Sequence, residues 1–270
     1  MRVRTLEQAA AWIDDAGVAF LFPNGDYVLP SLWEAVAGHP LMEWGVQRED
    51  GKWEFTPETA KVWTWKDELP ARRLACVGLH VARTTGLVAP ALVPAVYALT
   101  EESRVALDGL EREVADAALS LGRPATRREL RLLVGADKRT GDRAVNALQR
   151  KLVLTNAGLD TEGSGWGATL HDLFARRWRQ KLRRTVARED ALASLALAVV
   201  RGAGEVSVAD LAAALKVRRR EAAETLERLE ATGAVTPSRR DDLLLWSARP
   251  RGSRARSRAA GSRSSPRRSR

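Results

Sequence analysis

The chain predicts a mainly α-helical protein with small β-hairpins, an α+β class in which tandem winged helix-turn-helix units stand behind an N-terminal tryptophan-rich α+β unit. Three observations carry that expectation. A 30-residue stretch beginning at Thr126 repeats without a gap 81 residues further on, and each copy is followed by two apolar runs around a polar turn. Six of the nine tryptophans fall within residues 1–100. A fixed internal offset marks duplication of one supersecondary unit, and tryptophan density marks a separate packing unit.

Taken in order, TLEQAAAWIDDAG (5–17) reads as an amphipathic helix with Thr5 as its cap and Gly17 as its stop. VAFLFPNGDYVLP is an apolar stretch broken by a Pro-Asn-Gly turn, and SLWEAVAG restarts a helix at Ser31, answered three residues later by Glu34. In WTWKDELPARR (63–73) a new helical run is expected near Pro70, since proline suits a first turn. Asp67 or Glu68 would cap it and pair with Arg72 or Arg73, and Trp63 and Trp65 would share a face if the segment is extended. Adjacent carboxylates diverge by about 100° on a helix, so Asp67 and Glu68 do not form a facing acid–base pair. Bracing is the preferred role, with a nucleic-acid contact and catalysis as the alternatives. VAPALVPAVYALT reads as a short helix ahead of the first repeat.

In the repeats Thr126 aligns with Ser207, Glu129 with Asp210, Leu130 with Leu211, Leu148 with Leu229 and Thr155 with Thr236. Each copy opens on a hydroxyl followed three residues later by an acid, the signature of a capped helix start. Apolar residues at Leu130, Leu133 and Val134, and again at Val145, Leu148 and Leu152, flank the turn-forming GADKRTG segment. One stripe of a longer preceding helix runs through Val105, Leu107, Leu110, Val114, Ala118 and Leu121, and Leu192, Leu195 and Val199 play that part before the second copy. LVLTNAGLDTEGSGWGATL and AVTPSRRDDLLLW then read as hairpins, with GSGWG (163–167) as a wing turn. The expected division is residues 1–100, a first winged helix over 101–170, a linker helix over 171–186, a second winged helix over 187–248, and an Arg/Ser-rich tail over 249–270. With no large apolar side chain, the tail is expected to be disordered.

Charge is concentrated. The net charge is +10, yet residues 1–100 hold 9 basic and 12 acidic side chains, while residues 123–184 hold 15 and 6 and the tail holds nine arginines and no acid. Such patches attract polyanions, so duplex DNA, damaged or not, is the expected partner. In a winged helix the third helix enters the major groove. That assigns Lys138, Arg139, Arg143 and Arg150 on the first recognition helix, Arg127, Arg128 and Arg131 on the helix before it, and Arg218, Arg219, Arg220, Arg239 and Arg240 in the second copy. Guanidinium groups there can grip guanine edges or phosphates. The later turns of the second helix, EAAETLERLE, are acidic, which leaves protein binding open for that unit. Between the copies Leu170, Phe174, Trp178 and Leu182 form an apolar stripe, and Arg176, Arg177, Arg179, Arg183 and Arg184 either extend the positive surface or decorate a solvated helix.

One cysteine and three well-separated histidines argue against a disulfide framework or a zinc site. No metal or cofactor is expected. The N-terminus has no signal-peptide character, and no run approaches the roughly 18 apolar residues of a membrane span, so a cytoplasmic, nucleoid-associated protein without membrane contact is expected. Phosphate loops, dinucleotide fingerprints, zinc-protease motifs and nucleophile elbows are absent.

The phrases AFLFP, LPSLWEAVAG and WTWKDELPARR, followed by LVPAVYAL and ATRREL, resemble bacterial AlkZ-related proteins over roughly residues 5–246. These are similar to shorter relatives of the AlkZ/YcaQ type of winged-helix DNA glycosylases, which unhook interstrand crosslinks or remove alkylated bases. The resemblance implies DNA binding in a repair setting. The alternatives are an active glycosylase on alkylated or crosslinked bases and a transcription-regulatory or protein-interaction module. Those glycosylases use a Gln–apolar–Gln/Asp element to position water. The nearest stretch here is Gln47-Arg48-Glu49, with arginine in the apolar place and glutamate last, so no catalytic residue is carried over.

Overall fold

A computed structural model of the chain describes residues 2–82, 84–162 and 167–249. The expected tail, apart from Arg249, and most of the GSGWG turn lie outside the described residues.

The N-terminal part begins with α1 (Leu6–Ala16), where Thr5 accepts a hydrogen bond from the Gln8 amide and Gly17, at φ 74°, ends the helix. Strand β1 (Val18–Phe20) leads to α2 (Leu32–Ala37), whose Ser31 and Glu34 form the reciprocal capping box. A hairpin of β2 (Gly45–Gln47) and β3 (Trp53–Phe55) precedes α3 (Pro57–Ala71), β4 (Cys76–Val81) and β5 (Thr84–Val88). A 3-10 turn then leads to α4 (Val93–Leu99) and α5 (Glu101–Val105).

The strands order as β1-β5-β4, all antiparallel. Their side chains alternate between two cores as the period of two requires. Ala19, Leu21, Val77 and Leu87 pack with α1, α2 and α3, whereas Val18, Phe20, Cys76 and Val88 face a second core. That second core is completed from the far end of the chain, through Leu195, Val199, Leu226 and Trp246. A sheet buried on both faces explains why VAFL reads as an unbroken apolar run.

The duplication recurs in the order of helices and strands, and the third helices correspond residue for residue. The first unit comprises α6 (Gly109–Leu121), β6 (Ala125–Thr126), α7 (Arg127–Leu133), α8 (Lys138–Arg150), β7 (Leu154–Asp160) and β8 (Ala168–Leu173). After α9 (Phe174–Arg177) and a 3-10 turn at Lys181–Arg183, the second comprises α10 (Arg188–Ala203), β9 (Glu205–Val206), α11 (Val208–Leu215), α12 (Arg219–Ala231), β10 (Val235–Arg240) and β11 (Leu243–Ala248). In both, the short strand after the first helix pairs with the second hairpin strand, giving the sheet orders β6-β8-β7 and β9-β11-β10. Thr126 and Ser207 both sit in capping boxes. The first unit has its own core around Val114, Leu130, Val145 and Leu148.

Three local expectations are corrected. WTWKDELPARR does not start a helix near Pro70; it is the C-terminal half of α3, which Thr56 caps and Pro57 opens. On a helix Trp63 and Trp65 diverge, so Trp65 is buried while Trp63 is exposed. Asp67 pairs with Lys66 at 2.5 Å rather than capping a later helix, and Arg72 reaches Glu7 instead of a neighbouring carboxylate. The stripe from Val105 is interrupted because Asp108 and Glu111 form a fresh capping box that starts α6. No single linker helix spans 171–186: β8 continues to Leu173 because residues 168–173 pair with β7, and only α9 and the 3-10 turn follow. Phe174 and Trp178 are nonetheless core, as their spacing implied.

Candidate nucleic-acid interface

The first unit holds α8 from beneath and leaves its leading turns outside. Val145 and Leu148 pack against Val114 and Leu130, and the C-terminal end is tied to the N-terminal sheet, where His80 Nδ1 lies 3.0 Å from the Gln149 carbonyl oxygen. At the other end Asp137 caps the helix, accepting from the Arg139 and Thr140 amides at 2.8 and 3.1 Å. Hydrogen bonds from Thr140 are the largest influence holding its carboxyl below the ordinary range. Lys138, Arg139 and Arg143 follow that cap, all exposed. Among the described residues none of the three is in an ion pair. Arg150 is exposed at the far end of the helix and Arg128 on α7.

The two remaining first-unit cations are used differently. Arg131 is half-buried with its stem against Gly141, where an added Cβ would stand 2.8 Å from Arg131 Cγ, so the glycine permits α7 and α8 to approach. Arg127 turns inward, donating from Nε to His171 Nε2 at 3.2 Å. Burial, opposed by Asp142, lowers the pKa of Arg127, and burial followed by the Arg127 charge drives His171 down to about 3.

In the second unit Arg218, Arg219, Arg220 and Arg239 are exposed, as is Arg240. Here carboxylates intervene: Arg220 pairs with Glu224 at 3.1 Å and Arg240 with Glu205 at 3.0 Å. Along α12, Glu221 binds Arg188 and Arg228 binds Glu189, so that helix is knitted to α10 by charge.

Elsewhere Gln47, Arg48 and Glu49 lie on the exposed β2–β3 hairpin, with Arg48 bonded to Glu54 at 2.9 Å. An aromatic cluster forms around that hairpin, Phe22 with Trp44 at 4.9 Å and Phe55 with Trp63 at 5.6 Å between ring centroids. The sequence shows this grouping only as tryptophan density; the pairing depends on α3 beginning at Pro57, for which Thr56-Pro57-Glu58 was the available signal. Cys76 is buried and its thiol is pushed up to about 12 by desolvation, which leaves no thiolate for nucleophilic chemistry. Among the described residues no group of three or more His, Cys, Asp or Glu could hold a metal ion, and no helix is long and apolar enough to cross a membrane.

Together these features define an α+β protein built on a duplicated three-helix-and-hairpin unit, one copy of which presents an unpaired cationic helix start. Residues 3–216 match the family described as AlkZ related, and the chain belongs to that family. The match ends at the close of α11. Among solved structures, the DNA glycosylase AlkZ of Streptomyces sahachiroi is similar at 14% identity with a TM-score of 0.48, over 64% of this chain and 52% of that one. The DIP2311 protein of Corynebacterium diphtheriae is similar at 17% identity with a TM-score of 0.22, over 72% and 39%. The chain thus spans about half the length of the AlkZ structure, and likenesses this distant carry no functional argument. No curated protein matches the chain.

Proposed function

We propose that this AlkZ-related protein binds duplex DNA in a repair setting, with the two duplicated units acting as winged helices and α8 as the principal recognition helix. The observation that carries the reading is the exposure of Lys138, Arg139 and Arg143 on one helix start, with no ion-pair partner among the described residues. Cations already paired inside a protein gain little from a phosphate, whereas free ones release condensed counterions on binding. Their position after a cap also lets the helix start face the groove while the wing over β7 and β8 approaches the backbone. The second unit, where Arg220 and Arg240 are paired, makes a weaker contact. The nine arginines of residues 249–270 add affinity without sequence preference. Such a role belongs in the cytoplasm with the nucleoid.

Family membership supports repair as the setting, and for the glycosylase alternative the stretch nearest the expected element, Gln47, Arg48 and Glu49, stands exposed on a hairpin. The test is duplex binding by fluorescence anisotropy with Lys138→Glu, Arg139→Glu and Arg143→Glu combined. Affinity is expected to fall by more than about tenfold, and undiminished binding by this variant would refute the role of α8. Incubating the same protein with alkylated and crosslinked duplexes, followed by alkaline treatment, separates the alternatives. Strand scission would establish base release.

A further inference from the structure

A second cationic feature lies where the C-terminus of α3 meets α9. A cavity of about 290 Å³ is lined there by Arg73, Arg176, Arg177, Arg179 and Lys181 beside Trp178, and no acidic side chain lines it. Arg176 is satisfied by Asp172 at 2.6 Å. Arg177 is 8% exposed and its Nη2 donates to the Pro70 and Ala71 carbonyls, capping α3, yet its Nε is buried without a partner. Arg73 occupies the position after the helix end that normally takes glycine: its φ is 58°, its amide bonds Pro70 O at 3.1 Å, and Leu74 bonds Leu69 O at 2.9 Å. A non-glycine residue is disfavoured in that conformation. Arg73 also depresses the pKa of Arg177, second only to burial, and Asp172, already paired with Arg176, opposes that effect. Arg73, Arg179 and Lys181 are exposed, and among the described residues none has an ion-pair partner.

We propose that this cavity is a phosphate-binding site, formed by Arg73, Arg177, Arg179 and Lys181, that seats a phosphodiester of the DNA engaged by α8. A phosphate group supplies what the cavity lacks, several acceptor oxygens and negative charge for forked guanidinium donors. The identity of the phosphate as DNA backbone rests on the function proposed above; the site itself does not. It extends the contact surface beyond the winged units to the end of α3 and gives Arg73 of WTWKDELPARR a role, while Arg72 remains with Glu7.

The experiment uses the full chain and the variant Arg73→Gln, Arg179→Gln, Lys181→Gln, leaving Arg177 in place because it caps α3. Melting temperatures are compared in 10 mM inorganic phosphate and in chloride of equal ionic strength, with duplex affinity measured in parallel. Phosphate stabilises proteins generally by exclusion, so the readout is the difference between wild type and variant. A millimolar site predicts an extra rise of about 3 °C in the wild type alone. Loss of that rise together with weaker duplex binding identifies a phosphodiester seat. Loss of the rise with unchanged duplex binding keeps the site but assigns it to free phosphate or a nucleotide. Equal shifts in wild type and variant overturn the proposal, even if duplex binding weakens, since the three cations would then be only peripheral contacts. A wild type that ignores DNA yet shows the specific rise would refute the DNA-binding function while leaving the phosphate site standing.

Discussion

Buried His171 is the side chain through which pH should act on this protein most directly. It is 1% exposed, accepts from Arg127, and has its pKa lowered from the ordinary 6.5 to about 3, first by burial and then by the Arg127 charge. A histidine with a depressed folded pKa binds protons better when unfolded, so the stability it confers is present above the unfolded pKa and is lost as pH falls toward the folded one. Between neutrality and about pH 5 that loss is about 2 kcal/mol for one such residue. His80, driven to about 4 mainly by burial, acts in the same direction. Urea denaturation at neutral pH and near pH 5 should show the loss, and His171→Gln should flatten it. Equal slopes in both proteins would place the acid sensitivity elsewhere. The sequence offers no sign of this arrangement: Arg127 reads as one more outward cation, and only the pairing of β6 with β8 brings His171 beneath it.

At the scale of the element, the helix starts of the repeats were legible because capping is local chemistry. Thr126 and Ser207 each accept from the amide three residues on, while Glu129 and Asp210 return to the cap. Thr126→Ala or Ser207→Ala should each cost about 1 kcal/mol in chemical denaturation; a change within error would mean that packing alone sets these starts. The wing of the first unit depends on a feature less visible in sequence, a register shift between Asn156 and Gly158. Gly158 has φ 134°, which glycine alone adopts readily, and an added Cβ would lie 3.2 Å from Ala71 of α3. Gly158→Val should therefore destabilise the protein by about 2 kcal/mol, whereas Gly135→Asn, at φ 64° with open space around it, should be nearly neutral. What could not be read locally was α3. Proline at position 70 suggested a helix start, but Val62, Trp65 and Leu69 bury the segment in the N-terminal core, and that packing holds the helix through its last turn.

For the whole molecule, the two repeats are alike in connectivity and unlike in their cores and in the pairing of their charges. The first keeps a private core and free cations at the start of α8; the second shares its core with the N-terminal sheet and pairs several of its charges. The offset in the sequence disclosed the duplication, and the acidic turns of α12 disclosed part of the asymmetry. The shared core was hidden, because nothing local in Leu195 or Val199 says that Phe20 and Val88 will lie against them. This asymmetry predicts that neutralising Arg218 and Arg219 at the start of α12 weakens DNA binding less than neutralising the start of α8, which paired anisotropy titrations would check. The most direct measurement is the dependence of duplex affinity on salt for the wild type and for the combined Lys138→Gln, Arg139→Gln, Arg143→Gln variant. If these three side chains meet phosphates, the logarithmic slope should become shallower by about 2.7. An unchanged slope, with affinity intact, would contradict α8 as the docking helix.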